Sequence, residues 1–275
     1  MPLRFASTFA IAALLGGQAF AHDFWIEPET YNPQAPGAVA LDVLVGHGED
    51  MSDWPVSPSR IIGLRSIGPD GLENHANGPE TLRSDISLEL ASEGQHLVFI
   101  ETTNSFSSLP AQKFNSYLKE EGIVPIEVHR ATNRLLRDEG LELYSRRGKA
   151  LIQVGCPAET SDVWKTNLGL TLEIIPLVDP FQWNEGDSFP VELRFHGALV
   201  PNATLKMTNL DDDSLQFRVT TNAEGQADIS GELSEGRWLV HNVWAEPVAG
   251  LLEDADYQTV FSSLTFQTET DCSGE

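Results

Sequence analysis

Apolar and polar residues alternate along most of this chain in short runs, and that period of two predicts strands. In the first half the runs fall at 22–27, 39–47, 60–67, 82–90 and 96–103. Gly68-Pro69-Asp70-Gly71 is a turn sequence, and Ser92-Glu93-Gly94 reads as the turn of a hairpin between two alternating runs. The period then lengthens. Apolar residues three and four apart over 111–121 and 126–138, with Pro110 and Pro125 near the starts and Gly122 and Gly140 beyond the ends, predict two helices. A strand at 149–154 completes this half. After the polar stretch 155–167, alternation resumes at 170–176, 188–195, 204–209, 216–221, 226–230, 238–244 and 262–268.

Two groups of short strands, each about the size of one sandwich, predict a mainly β fold of two immunoglobulin-like β-sandwich domains. The N-terminal domain covers 22–155, with a helical insertion at about 110–140. Residues 156–167 form a linker, and the C-terminal domain covers 168–270.

Residues 1–21 fit neither domain. Arg4, an apolar stretch over 5–15 and Ala19-Phe20-Ala21 form the pattern of a secretory signal cleaved after Ala21, which predicts a periplasmic or secreted protein. The apolar core is too short to span a bilayer, so no membrane insertion is expected after cleavage. Cys156 and Cys272 are the only cysteines. In an oxidising compartment a disulfide between them is open to the chain, and their spacing is not that of a zinc or redox pair.

Charge narrows the function classes further. Asp and Glu number 41 against 17 Lys and Arg, a formal charge of -24. Such a surplus excludes nucleic acid and anionic membranes as partners unless a basic patch exists. The one local basic cluster, Tyr144 with Arg146, Arg147 and Lys149, is expected to pair with carboxylates such as Glu139 or Glu142 at the modest strength of surface ion pairs. There is no Gly-x-Ser-x-Gly elbow, phosphate-cradling loop or His-Glu-x-x-His, so conventional catalytic arrangements are missing.

The chemistry-bearing residues cluster at the mature start. Cleavage after Ala21 gives His22 a free α-amine beside its imidazole, two nitrogens able to chelate one ion. If the first two strands pair antiparallel, the start of one meets the finish of the other, which brings His22 toward His47. Asp23 adjoins the first histidine, and Glu49 lies in the loop beyond the second. The His22 amine and the two rings would form a histidine brace, a set that suits copper(II) and that nickel(II) and cobalt(II) also accept. The bland alternatives are that His22 merely leads into a strand and that His47 caps a loop. His241 lies on the strand face opposite Trp238, Val240 and Trp244. A half-buried strand position is expected there, with a ligand role only if the two sandwiches pack together.

Several motifs in order resemble one family over nearly the whole mature chain. They are His22-Asp23-Phe24-Trp25-Ile26-Glu27-Pro28, Val45-Gly46-His47, the run from Leu109 to Gly122, Tyr144-Ser145-Arg146-Arg147-Gly148-Lys149-Ala150-Leu151, Leu168-Gly169-Leu170 with Glu173, and Ser263-Leu264-Thr265-Phe266. Together they resemble the DUF4198 family, whose members are often described as periplasmic components of cobalt or nickel uptake systems. The resemblance implies metal handling with nickel or cobalt as the ion, whereas copper comes from the donor chemistry of the brace. The leading reading is a non-enzymatic exported protein that binds a divalent transition metal (nickel, cobalt or copper) and serves a membrane metal transporter. Two other functions stay open. One is a copper enzyme using the brace for oxidative attack, like a monooxygenase; the other is a metal-free binding module.

Overall fold

The computed structural model of the chain describes residues 23–46, 51–54, 57–75, 86–157, 161–248 and 255–268. The first half gives β1 (Asp23–Pro28), β2 (Gly37–Gly46), β3 (Ser52–Asp53), β4 (Ile61–Gly68), β5 (Gly71–Asn74), β6 (Ile86–Leu90), β7 (Gly94–Thr102) and β8 (Ser105–Leu109). Helices α1 (Ala111–Glu121) and α2 (Val124–Thr132) follow, then β9 (Gly140–Val154). The second half adds β10 (Leu172–Pro176), β11 (Pro190–Phe195), β12 (Ala198–Leu199), β13 (Thr204–Asn209), β14 (Gln216–Thr220), β15 (Gln226–Asp228), β16 (Arg237–Pro247) and β17 (Tyr257–Gln267).

The fold is mainly β, and a 9-stranded sheet runs through both halves of the chain in the order β14-β13-β16-β17-β9-β7-β4-β5, with β8 also on β9. β17 and β9 are parallel, from Tyr257 opposite Glu142 to Thr265 opposite Ala150. Parallel neighbours need a crossover, and here the chain passes through the β10-β11-β12 sheet and through β13, β14 and β16 before it returns as β17 beside β9. Two smaller sheets, β1-β2-β3 with β6 and β10-β11-β12 with β15, cover the central one.

Side-chain alternation places them on opposite faces. Val98, Ile100, Ala150 and Ile152 pack with Phe24, Ile26, Leu41 and Leu88 of the first small sheet. Leu97 and Leu151 turn the other way and join Leu172, Ile174, Leu193, Trp238, Val240 and Leu264. Being buried on both faces is why β7 and the end of β9 read as continuous apolar runs.

Three local expectations are corrected. Ser92-Glu93-Gly94 does not close a hairpin, because β6 pairs with β2 while β7 pairs with β4 and β9, so the turn carries the chain from one sheet to another. The second helix stops at Thr132. Arg130 is fully buried, and its guanidinium donates to Asn115 Oδ1 at 2.9 Å and to the carbonyls of Leu135 at 2.7 Å and Asp138 at 2.5 Å. The chain therefore wraps around this cation instead of extending the helix. Finally, β9 begins at Gly140 rather than at 149, because its first half is polar in composition yet includes the buried Glu142, Ser145 and Arg147. The stretch 156–167 is partly packed, with Val163 and Trp164 against the second core and Ser161 Oγ donating to Gln95 Oε1 at 3.0 Å. Cys156 is disulfide-bonded; Cys272 lies outside the described residues.

The basic cluster is also not a set of surface pairs with Glu139 and Glu142. Lys149 meets Glu173 at 3.1 Å with each side chain 1% exposed, and Arg147 Nε lies 3.6 Å from Glu101. β9 is an inner strand, so Arg147 finds its partner on the neighbouring β7, where Glu101 is directly opposite, and Lys149 finds its own across layers on β10. Burial pushes the Lys149 pKa down, and Glu173 opposes that shift. Glu173 also accepts from the backbone N–H of Leu168 at 3.0 Å, Gly169 at 3.0 Å and Leu170 at 3.2 Å. Glu173→Ala, which orphans a buried ammonium and these N–H groups, is expected to cost about 3–5 kcal/mol in urea unfolding. Lys149→Met should cost less, because the carboxylate keeps its backbone donors; equal losses would show that the backbone contacts contribute nothing.

Candidate functional site

The candidate site is built where the first small sheet ends over the central one. In the β1–β2 ladder Asp23 is opposite Gly46, so the buried Asp23 carboxylate marks the tip of that sheet. On β16, alternation turns Trp238 and Val240 toward the second core and leaves Leu239 and His241 facing the first sheet, where Leu239 packs with Trp25 and Leu44. His241 Nδ1 lies 3.1 Å from Asp23 Oδ1. The histidine is only 4% exposed rather than half-buried, because β1 covers its face.

The third member comes from α1. Gly122 ends this helix in the left-handed conformation (φ 70°, ψ 33°), and a Cβ there would run into Thr204 of β13. Glycine thus lets the helix terminus press against β13, next to Lys206. Glu121, the last helical residue, is buried and accepts from Lys206 Nζ at 2.6 Å. A carboxylate at a helix C-terminus opposes the helix dipole, and burial raises its pKa while Lys206 holds it down. The cost of placing it there is a signal that position matters.

Asp23, Glu121 and His241 offer three donor atoms that all lie within 4.8 Å of one another. Ligands about 2.0–2.2 Å from one ion sit at most roughly 4.4 Å apart, so a small inward movement suffices. One imidazole nitrogen and two carboxylate oxygens form a donor set for a borderline divalent cation. The site opens into a cleft of about 770 Å³ lined by residues including Asp23, Trp25, Met51, Lys206, Asp211 and His241.

Of the residues singled out in the sequence, Asp23 and His241 are brought together. His22, His47 and Glu49 lie outside the described residues. Glu121 and Lys206 were not singled out. Among so many acids a charged Lys119-Glu120-Glu121 run reads as a solvated helix end, and only the helix-terminal position before a glycine hinted otherwise. Elsewhere, His75 Nε2 sits 2.7 Å from Ser66 Oγ and His96 Nε2 lies 2.9 Å from the Ser92 carbonyl, so both are held structurally.

Below α1, Glu142 is buried in the central sheet and accepts from Thr259 Oγ1 at 2.7 Å. Burial raises its pKa from 4.5 to about 7, partly offset by hydrogen bonds from Thr259 and Ser107 and by the charge of Arg146. On α1 the Tyr117 hydroxyl is pushed well above its usual pKa by burial first and by the charge of Glu142 second. Because the folded value is raised, the folded state favours the proton. The contribution of Glu142 to stability is complete below its unfolded value and is lost as pH rises through about 7. Glu142→Gln is expected to raise the thermal midpoint by several degrees at pH 8 and hardly at all at pH 4.5; a gain equal at both pH values would contradict this assignment.

A model of the family described as Domain of unknown function (DUF4198) matches residues 19–246. No curated protein matches the sequence. Among solved structures, the D0-D1 domain of intimin is similar at 11% identity, with 88% of this chain and 97% of that chain covered and a TM-score of 0.19. Trypsin-activated alpha-2-macroglobulin from Escherichia coli is similar at 12% identity, covering 90% of this chain and 16% of that one, also with a TM-score of 0.19. At such scores neither likeness bears on fold or function. The family model spans most of the sequence, from before Asp23 to the end of β16, and the chain belongs to the DUF4198 family.

Proposed function

We propose that this protein is exported, binds a divalent transition metal (nickel, cobalt or copper) and serves its uptake or delivery to a membrane transporter, without a catalytic reaction of its own. The observation that carries this reading is the buried group of Asp23, Glu121 and His241 at the tip of the β1–β2 ladder. The residues next in sequence to the paired Asp23 and Gly46 are His22 and His47. In this reading His22 contributes its α-amine and ring, and His47 and His241 contribute imidazoles. Asp23 and Glu121 either bind the ion or orient the rings that do, as carboxylates beside metal-bound histidines commonly do. So nitrogen-rich a set holds copper(II) more tightly than nickel(II) or cobalt(II). The signal-like residues 1–21 support export, and the two apolar cores support reading 22–155 and 168–270 as immunoglobulin-like sandwiches that share a central sheet.

Competition of the mature protein with a chromophoric chelator for copper(II) and nickel(II) tests the proposal. His241→Ala and Asp23→Asn should each weaken binding by about 10–100-fold while circular dichroism stays native; unchanged affinity in both variants contradicts the site. One alanine inserted before His22 separates the amine from its ring chelate and should weaken binding at least as much. Mass spectrometry of the exported chain must then show His22 as its first residue.

A further inference from the structure

Arg146 lies on the same face of the central sheet as His241. Across the β9–β17 pair it is opposite Phe261, while Gly148 is opposite Ser263, which in turn is opposite His241 on β16. Its guanidinium carbon is 4.9 Å from the Tyr144 ring centroid, 5.4 Å from those of Trp54 and Phe261, and 5.6 Å from that of Phe24. Rings that stack on the faces of a guanidinium leave its in-plane N–H edge for a ligand. Arg146 Nε is buried without a hydrogen-bond partner, and its side chain makes a hydrogen bond with that of Tyr144.

A second cation stands beside it. Arg60 is held on Thr103, and the backbone N–H of Arg146 donates to Oγ1 of the adjacent Thr102 at 2.9 Å, a placement at which the Arg60 charge opposes that of Arg146. The Arg60 guanidinium donates to Thr103 Oγ1 at 3.1 Å and to the Thr103 carbonyl at 3.2 Å, both neutral acceptors. Among the described residues no carboxylate forms an ion pair with either arginine, although acids outnumber bases by 41 to 17 in this chain. The nearby acids are engaged elsewhere: Glu101 with Arg65 and Arg147, Glu121 with Lys206, and Glu142 with Thr259. The Tyr117 hydroxyl on α1 is buried without a hydrogen-bond partner; burial and the charges of Glu142 and Glu121 hold its proton on, and Arg146 opposes them, so it is available as a donor. Trp54, Arg60, Tyr144 and Arg146 are each partly exposed, so solvent reaches the group.

We propose that Arg146 and Arg60 form a binding site for a small organic carboxylate, with Tyr117 as a further donor and Trp54 and Tyr144 as walls for its carbon skeleton. The planar fork of a guanidinium matches a carboxylate in two parallel hydrogen bonds. Phosphate sites more often rest on backbone N–H groups at a helix N-terminus or in a nest. Here the donors are side chains set among aromatic rings, which suits an anion with an apolar body. The site stands independently of the metal reading, because none of its donors belongs to the Asp23, Glu121 and His241 group.

Calorimetric titration of chelator-treated, metal-free protein with succinate, and separately with inorganic phosphate, tests the assignment. One succinate per chain is expected, with phosphate at least about tenfold weaker. Arg146→Lys, which keeps the charge and loses the fork, should weaken succinate about tenfold or more, and Arg60→Gln several-fold. Thermal midpoints check that the variants fold, and the partly exposed Arg60 provides a test even if Arg146 cannot be changed. Absence of succinate binding at millimolar concentration, phosphate binding as tight as succinate, or unchanged affinity in folded variants would overturn the proposal.

Discussion

The parallel pairing of β9 with β17 is the constraint on which the rest of this structure depends. It fastens the middle of the chain to its end, and between the two the chain builds β10, β11, β12 and β15 as a separate sheet and adds β13, β14 and β16 on the far side of β17. The two apolar cores consequently assemble on one shared sheet, one on each face. On one side of this seam the buried Lys149–Glu173 pair locates β10 and the loop at 168–170. Desolvating both charges offsets much of their attraction, so the pair contributes less to net stability than to where the second small sheet docks.

The other side of the seam carries the chemistry. Gly148 leaves room for Phe24: a Cβ there would come within 3.2 Å of that ring and of Ile100. β1 can then approach the seam with Asp23 at its tip, and α1 closes from the opposite direction with Glu121 at its end. The acceptor group around His241 and the donor group around Arg146 are both consequences of two covering elements meeting over one pair of strands. Tyr117 on α1 senses the charges of Glu142, Glu121 and Arg146, members of both groups among them.

Much of this was legible in the sequence where one physical signal dominates. Alternation gave β13 at 204–209, and helical spacing with Gly122 gave α1 at 111–121, with the same limits as the structure. The front of β9 was not legible, because Glu142 and Arg147 are charges that only tertiary partners make tolerable in a buried strand. Turn residues at 92–94 announce a reversal without saying which sheet receives the next strand. Asp23 and His241 could be named from strand direction and strand face. Glu121 could not, since its significance comes from a helix end pressed against β13. The expectation that Arg146 pairs with a neighbouring acid fails for a similar reason: its aromatic surroundings come from Phe24, Trp54, Tyr144 and Phe261, which are spread across the sequence.

The central claim is that the end of the β1–β2 ladder holds a metal ion against His241. Anomalous diffraction at the copper or nickel absorption edge, from crystals of the exported protein grown with one equivalent of that metal, tests it most directly. The account predicts one strong peak about 2.0–2.2 Å from a His241 ring nitrogen and beside the Asp23 and Glu121 carboxylates. A peak located elsewhere on the protein, or none at this position, would contradict it.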